Sequence, residues 1–139
     1  MNNILIDQLD ASVFSKFGKI VEKKNALELR SINQGTTTRY HNISELDLES
    51  KNGISSISIF SGTPRNLPIE IKIMEKHPVA SQSFLPIQDY DWLIVVSEEK
   101  NELPDLNTLR CFHVNGDTGI TYNKNCLLYT SDAADEPSS

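Results

Sequence analysis

Trp92–Val96 is apolar at every position and only five residues long. It is far too short to cross a bilayer as a helix. A short, uninterrupted apolar run is what a strand covered on both faces looks like. It therefore demands protein on two sides, and the rest of the chain must supply those layers. Leu109–Val114 alternates, with Leu109, Cys111 and His113 on one face and Arg110, Phe112 and Val114 on the other. Ile69, Ile71 and Ile73 alternate with Glu70, Lys72 and Met74 as in a half-buried strand, and Ile54–Phe60 reads as another.

Further elements are shorter. Asn2–Asp7 suits an edge strand. Asp10 is a suitable N-cap for a short helix carrying Leu9, Val13, Phe14 and Phe17 on one face. Gly18 would end that helix in the left-handed conformation, and Ile20–Val21 leads away extended. Asn25–Ile32 and Thr36–His41 flank a turn at Asn33-Gln34-Gly35, and Lys51-Asn52-Gly53 is a second turn. Ile43–Leu48 reads as either a helical turn or a strand, and Gly62–Pro68 as a loop. Val79–Leu85 is a further strand, Ser97–Pro104 a charged loop, and Asn115–Gly119 a hairpin-type turn before Ile120–Tyr122. Many short strands, frequent turns and one N-terminal helix predict a mainly-β sandwich or barrel.

Composition narrows the functional classes. Charged residues make up 23% of the chain, and the formal net charge is −6. No basic stripe is present, which argues against a nucleic-acid partner. Met1–Ala11 contains Asp7 and Asp10 and lacks the long apolar core of a signal peptide. Cys111 and Cys126 do not have metal-site spacing. A reduced, cytoplasmic setting and no membrane partner are the expectations.

The densest chemistry lies in Glu75–Pro86, between two apolar runs. A carboxylate, an imidazole, two hydroxyls and a carboxamide fall within twelve residues flanked by prolines. Such groups are costly to bury unless they bind a ligand or one another. His77 can cycle protons near neutrality, since an ordinary imidazole titrates near ~6.5. Its bland alternative is a strand-end histidine before Pro78. Glu75, two residues earlier on an extended chain, shares its face; a solvated carboxylate is the competing reading. Ser81 and Gln82 offer donors and acceptors, but as neighbours on a regular strand they point opposite ways. Arg39 has the planar fork that suits a carboxylate, unless it makes an exterior salt bridge. Cys111 reads as a small core residue.

Glu75, His77, Pro78, Ser81, Gln82, Phe84 and Pro86 together resemble the signature of the ureidoglycolate lyases, roughly E-R/K-H-P-x-x-S/T-Q-x-F-x-P. Arg39-Tyr40-His41 resembles the family's R-Y-H, and Asn66-Leu67-Pro68 its N-L-P. Pro104-Asp105-Leu106 with Thr108-Leu109-Arg110 resembles P-D-L-x-T-L-R. Asn115-Gly116, Gly119 and Tyr122 resemble N-G-x-x-G-x-x-Y. The agreements keep their order from Arg39 to Tyr122. The resemblance implies a cupin-like β-barrel of the jelly-roll type with a short N-terminal helix. It implies a carbon–nitrogen lyase that splits ureidoglycolate into glyoxylate and urea in allantoin catabolism, and a homodimer.

On that resemblance the catalytic candidates are His77 and Glu75. Arg39, Tyr40, Ser81, Gln82, Arg110 and Tyr122 are the substrate-binding candidates, with Arg110 the reserve carboxylate clamp. No metal ligand is assigned, though a divalent cation polarising the hydroxyl and carboxylate is compatible with the chemistry. A non-catalytic small-carboxylate binding module and an inactive fragment are the alternatives.

Two departures stand out. Asn123 follows Tyr122 where the family usually has histidine, and the family's W-H-H-P segment is absent. Instead, Cys126–Glu136 resembles a translated sequencing adapter. The expectation is a partial domain over residues 1–125, incomplete at its C-terminus, and an artefactual or disordered tail over 126–139. Without that tail the net charge is −3, because three acidic residues and no basic one are lost.

Overall fold

A computed structural model describes residues 3–47, 55, 57–61, 66–87 and 89–132. The protein is mainly β, with one short helix and three single-turn 3-10 segments among the described residues. The N-terminal half supplies β1 (Ile6–Gln8), α1 (Ala11–Phe14), β2 (Gly18–Val21), β3 (Glu28–Ile32) and β4 (Thr37–His41). The remainder supplies β5 (Gln82–Phe84), β6 (Trp92–Ser97), β7 (Glu99–Lys100), β8 (Leu103–Pro104), β9 (Arg110–Val114), β10 (Gly119–Tyr122) and β11 (Leu127–Asp132).

The first sheet has the order β1-β9-β6-β11, and the second β2-β10-β5. Trp92–Val96 is buried throughout, as its unbroken apolar run predicts, and Ser97, expected to open a charged loop, is buried as the sixth residue of β6. Trp92, Ile94 and Val96 of β6 and Phe112 and Val114 of β9 join a core with Ile20, Ile120 and Tyr122 of the second sheet. Phe14 links the layers. Its ring lies 5.8 Å from Phe112, edge-on, and 6.4 Å from Tyr122. Phe84 does the same at 6.5 Å from Trp92 and 5.6 Å from Tyr122. Aromatic pairs at these separations add to the area they bury.

Asp10 caps α1 as its side chain predicts, accepting from the Ser12 backbone N–H at 2.8 Å. Gly18 does not end the helix in the left-handed conformation. It opens β2, and a Cβ there would stand 1.9 Å from the Thr121 carbonyl oxygen. The glycine is needed for close approach of β2 to β10. Gly18→Ala is expected to force the strands apart, at a cost of about 1–3 kcal/mol. A thermal melt should drop by several degrees, and an unchanged melt would show that the ladder can shift freely.

The Asn115–Gly119 turn does not close a hairpin. It carries the chain from β9 in the first sheet to β10 in the second. Gly116 fits there because a Cβ would meet the Tyr90 backbone nitrogen at 2.6 Å. The Gly116 N–H donates to the Asp91 carboxylate at 2.9 Å.

The sheets are not closed into a barrel among the described residues. The stretches that alternate like further staves have no ladder: 69–74 belongs to no strand, and Ile57, Ile59 and Phe60 are exposed. Alternation tells which side chains share a face, but a strand also needs a free edge to pair with. Only 82–84 of the strand expected over Val79–Leu85 enters a sheet, and 43–47 forms neither helix nor strand. The turn at Lys51-Asn52-Gly53 lies outside the described residues, as do residues 62–65 of the Gly62–Pro68 loop.

The fold also runs past the boundary expected at Asn125. β11 pairs antiparallel with β6 over its whole length, and Cys126, Leu127 and Leu128 are buried. The segment is apolar and β-prone, and β6 offers it an edge; those two properties suffice for pairing. Residues 133–139 lie outside the described residues.

Both thiols are free and buried. Burial, with the nearby Asp7 charge, pushes Cys111 up to about 11, and burial pushes Cys126 up to about 12. The folded chain therefore holds these protons at pH values where the unfolded chain has released them. Their contribution to stability is complete below about pH 9 and is lost as pH rises through 11 and 12. Denaturant midpoints measured from pH 8 to 11 should fall more steeply for this chain than for a Cys111→Ala/Cys126→Ala variant. Parallel curves would contradict the assignment.

Candidate active site

One cross-strand row defines an end of the core. Arg110 pairs with Val96, Val96 with Leu128, and Leu128 with Glu75. The last link is an isolated bridge. The Glu75 N–H donates to the Leu128 carbonyl at 3.0 Å, and the Leu128 N–H to the Glu75 carbonyl at 2.9 Å. Directly opposed residues share a face, so Arg110 and Glu75 flank the core-facing Val96 and Leu128. Both charged residues are exposed, at opposite ends of the row.

The second sheet contributes Tyr122 and Gln82, which are register partners. Tyr122 is 1% exposed, and its hydroxyl lies 3.0 Å from the Thr130 hydroxyl of β11. Burial raises the Tyr122 pKa well above its ordinary value, with smaller upward pushes from Cys126 and Glu75; the Thr130 hydrogen bond acts the other way. The phenol is thus a fixed donor or acceptor at neutral pH. The turn after Tyr122 reaches His77, whose carbonyl accepts from the Asn125 N–H at 3.0 Å.

The polar atoms buried without a hydrogen-bond partner among the described residues include His77 Nε2, Gln82 Oε1 and, toward the other end of β6, Trp92 Nε1. An unmet buried donor or acceptor costs about 1–3 kcal/mol. A ligand that supplied the missing partners would recover that cost. No ion pair joins Glu75 to His77 among the described residues.

The other predicted residues lie elsewhere. Ser81 points away from Gln82, as alternation requires. Its hydroxyl accepts from the Asp47 N–H at 2.9 Å. It lines an open cleft of about 530 Å³ on the outer side of the second sheet, with Lys19, Thr121 and Lys124. Arg39 and Tyr40 belong to the β3–β4 ribbon, a separate two-stranded sheet. Arg39 is exposed opposite Arg30, and the Tyr40 ring lies 5.2 Å from Lys23 Nζ. His113 is tied to Asp91 at 3.0 Å.

The sequence reading missed two groups. Trp92 was legible only as core, although its unpaired indole N–H was a signal that a polar partner is needed. Thr130 fell in the segment set aside as a tail. No group of three or more His, Cys, Asp or Glu side chains that could hold a metal exists among the described residues.

Two facing sheets with titratable and amide groups at one end of their shared core define a mainly-β domain with a polar mouth. The family described as ureidoglycolate lyase matches residues 1–128, and the chain belongs to that family. The match runs into β11, three residues past the boundary expected at Asn125. Similar proteins carry the same name. "Ureidoglycolate lyase 1" of Rhizobium meliloti (strain 1021) is 37% identical over 120 residues, covering 86% of this chain and 69% of the relative. The "Ureidoglycolate lyase" of Burkholderia mallei (strain NCTC 10229) is 33% identical over 124 residues, covering 89% and 71%. That of Brucella anthropi is 35% identical over 125 residues, covering 90% and 72%.

Proposed function

We infer that this chain is a ureidoglycolate lyase, releasing glyoxylate and urea. Family membership supports the reaction. The observation that carries the site is the unpartnered, buried His77 Nε2, two residues from the Glu75 bridge and tied by its carbonyl to Asn125 in the turn after Tyr122. His77 Nε2 takes the substrate hydroxyl proton as the carbonyl of glyoxylate forms. The carbon–nitrogen bond breaks, its electron pair goes to the departing nitrogen, and the imidazolium returns the proton there. Protons and electrons balance, and no redox partner is needed. Gln82 Oε1 accepts from the urea N–H groups. The Tyr122–Thr130 pair orients the substrate, Glu75 supports the transient imidazolium, and an arginine holds the carboxylate.

The finer reading follows the family resemblance. The two sheets are staves of a cupin-like barrel, the protein works as a homodimer in the cytoplasm, and its product feeds purine nitrogen catabolism. Neither a nucleic acid nor a membrane is a partner; no helix among the described residues is long and apolar enough to cross a membrane. The test is glyoxylate and urea release from each enantiomer of ureidoglycolate, with and without a chelator. Equimolar products from one enantiomer, unaffected by chelation, are expected. Saturable binding without product would favour a carboxylate-binding module. Loss of turnover on chelation would add a metal to the site.

A further inference from the structure

The β3–β4 ribbon is anomalous in two ways. Every residue of β3 and four of the five in β4 are exposed, so both faces of a two-stranded sheet meet water. Such a ribbon is marginal on its own. One face pairs Leu29 with Tyr40, beside Leu27, which is 73% exposed. The other sets Arg30 directly against Arg39. Like charges in register are unfavourable. Arg30 is relieved by Glu28, but Arg39 has no ion pair among the described residues. Glu75, at the mouth of the core, likewise has none. A free guanidinium on a projecting ribbon and a free carboxylate at the mouth are complementary.

We propose that the ribbon docks on a second copy of this chain and carries Arg39 to that copy's mouth, where its fork holds the substrate carboxylate. The apolar Leu29–Tyr40 face is buried in the contact. Arg39, which has no ion pair among the described residues of its own chain, is then relieved by the substrate carboxylate and by the negative charge of the mouth it enters. The mouth of one chain would thus be incomplete without the other. The Arg39 assignment rests on the lyase reading; the docking does not.

Complementation between inactive variants tests it. Arg39→Ala and His77→Ala chains with different tags are co-expressed, and the heterodimer is isolated by two affinity steps. Each variant homodimer should lose at least ~100-fold in kcat/KM. The heterodimer holds one site with both residues intact and should regain about half of wild-type turnover, as one of two sites. An inactive heterodimer overturns the proposal, because Arg39 would then serve its own chain or none. Sedimentation is read in parallel. Wild type should be dimeric at assay concentration and Leu29→Arg monomeric. A monomeric wild type, or an unshifted Leu29→Arg dimer, also overturns the docking. If the wild type turns over neither enantiomer, the lyase reading fails, while the Leu29→Arg result still decides the docking.

Discussion

Replacing His77 by Ala should lower kcat by about 10²–10⁴-fold while leaving the thermal midpoint near that of the wild type. The factor is what a positioned acid–base group contributes to a proton transfer. The intact fold follows from the structure. The His77 ring nitrogen Nε2 makes no hydrogen bond, and the residue's tie to the fold is its backbone carbonyl, which accepts from Asn125. Removing the imidazole relieves an unmet buried group rather than breaking a pair. His77→Asn restores polarity without a base of useful pKa, so it should fail in the same way. His113→Ala is the matched control: that ring is held by Asp91 and lies outside the family's pattern, and turnover should stay near wild type. Near-normal turnover in His77→Ala would remove the residue from the mechanism.

Ending the chain after Asn125 should abolish cooperative unfolding and send most of the protein into aggregates. β11 covers one edge of β6, whose six residues are all buried. Its loss would expose a flat apolar edge, a template for intermolecular pairing. It would also remove Leu127 and Leu128, 7% and 2% exposed, each worth about 1.5–3 kcal/mol of burial. Domain stabilities are only about 5–15 kcal/mol, so these two side chains are a large fraction of the whole. The Glu75–Leu128 bridge and the Tyr122–Thr130 hydrogen bond would go with them. The candidate site would be dismantled along with the sheet. Much of the contribution of β11 is backbone pairing, so another apolar, β-prone segment in the same register should restore a cooperative melt. A soluble truncation with a sharp transition would show that β11 is dispensable. Such a result would support reading residues 126–139 as foreign to the domain.

Fixed by sequence were the local properties. The five buried positions Trp92–Val96 of β6 follow from a run with no polar residue before Ser97. The capped turn at Asp10, the ribbon around Asn33-Gln34-Gly35 and the alternation of β9 follow from side-chain chemistry within a few residues. The dense polar stretch from Glu75 to Pro86 pointed to a candidate site, because so many polar groups between apolar strands require partners. Decided only by the tertiary structure was which groups meet. The chain brings Gln82 to Tyr122 and Glu75 to Leu128 through pairings of residues 40 and more than 50 positions apart, which no local pattern encodes. It turns Ser81 outward onto Asp47 and leaves Arg39 on an exposed ribbon, although both belong to the same set of motifs as His77. It makes Gly18 a point of close approach between strands and the 115–119 turn a passage between sheets, where local geometry suggested a helix end and a hairpin. In each case the deciding factor was the choice of partner edge, a global property set by how the two apolar faces bury each other.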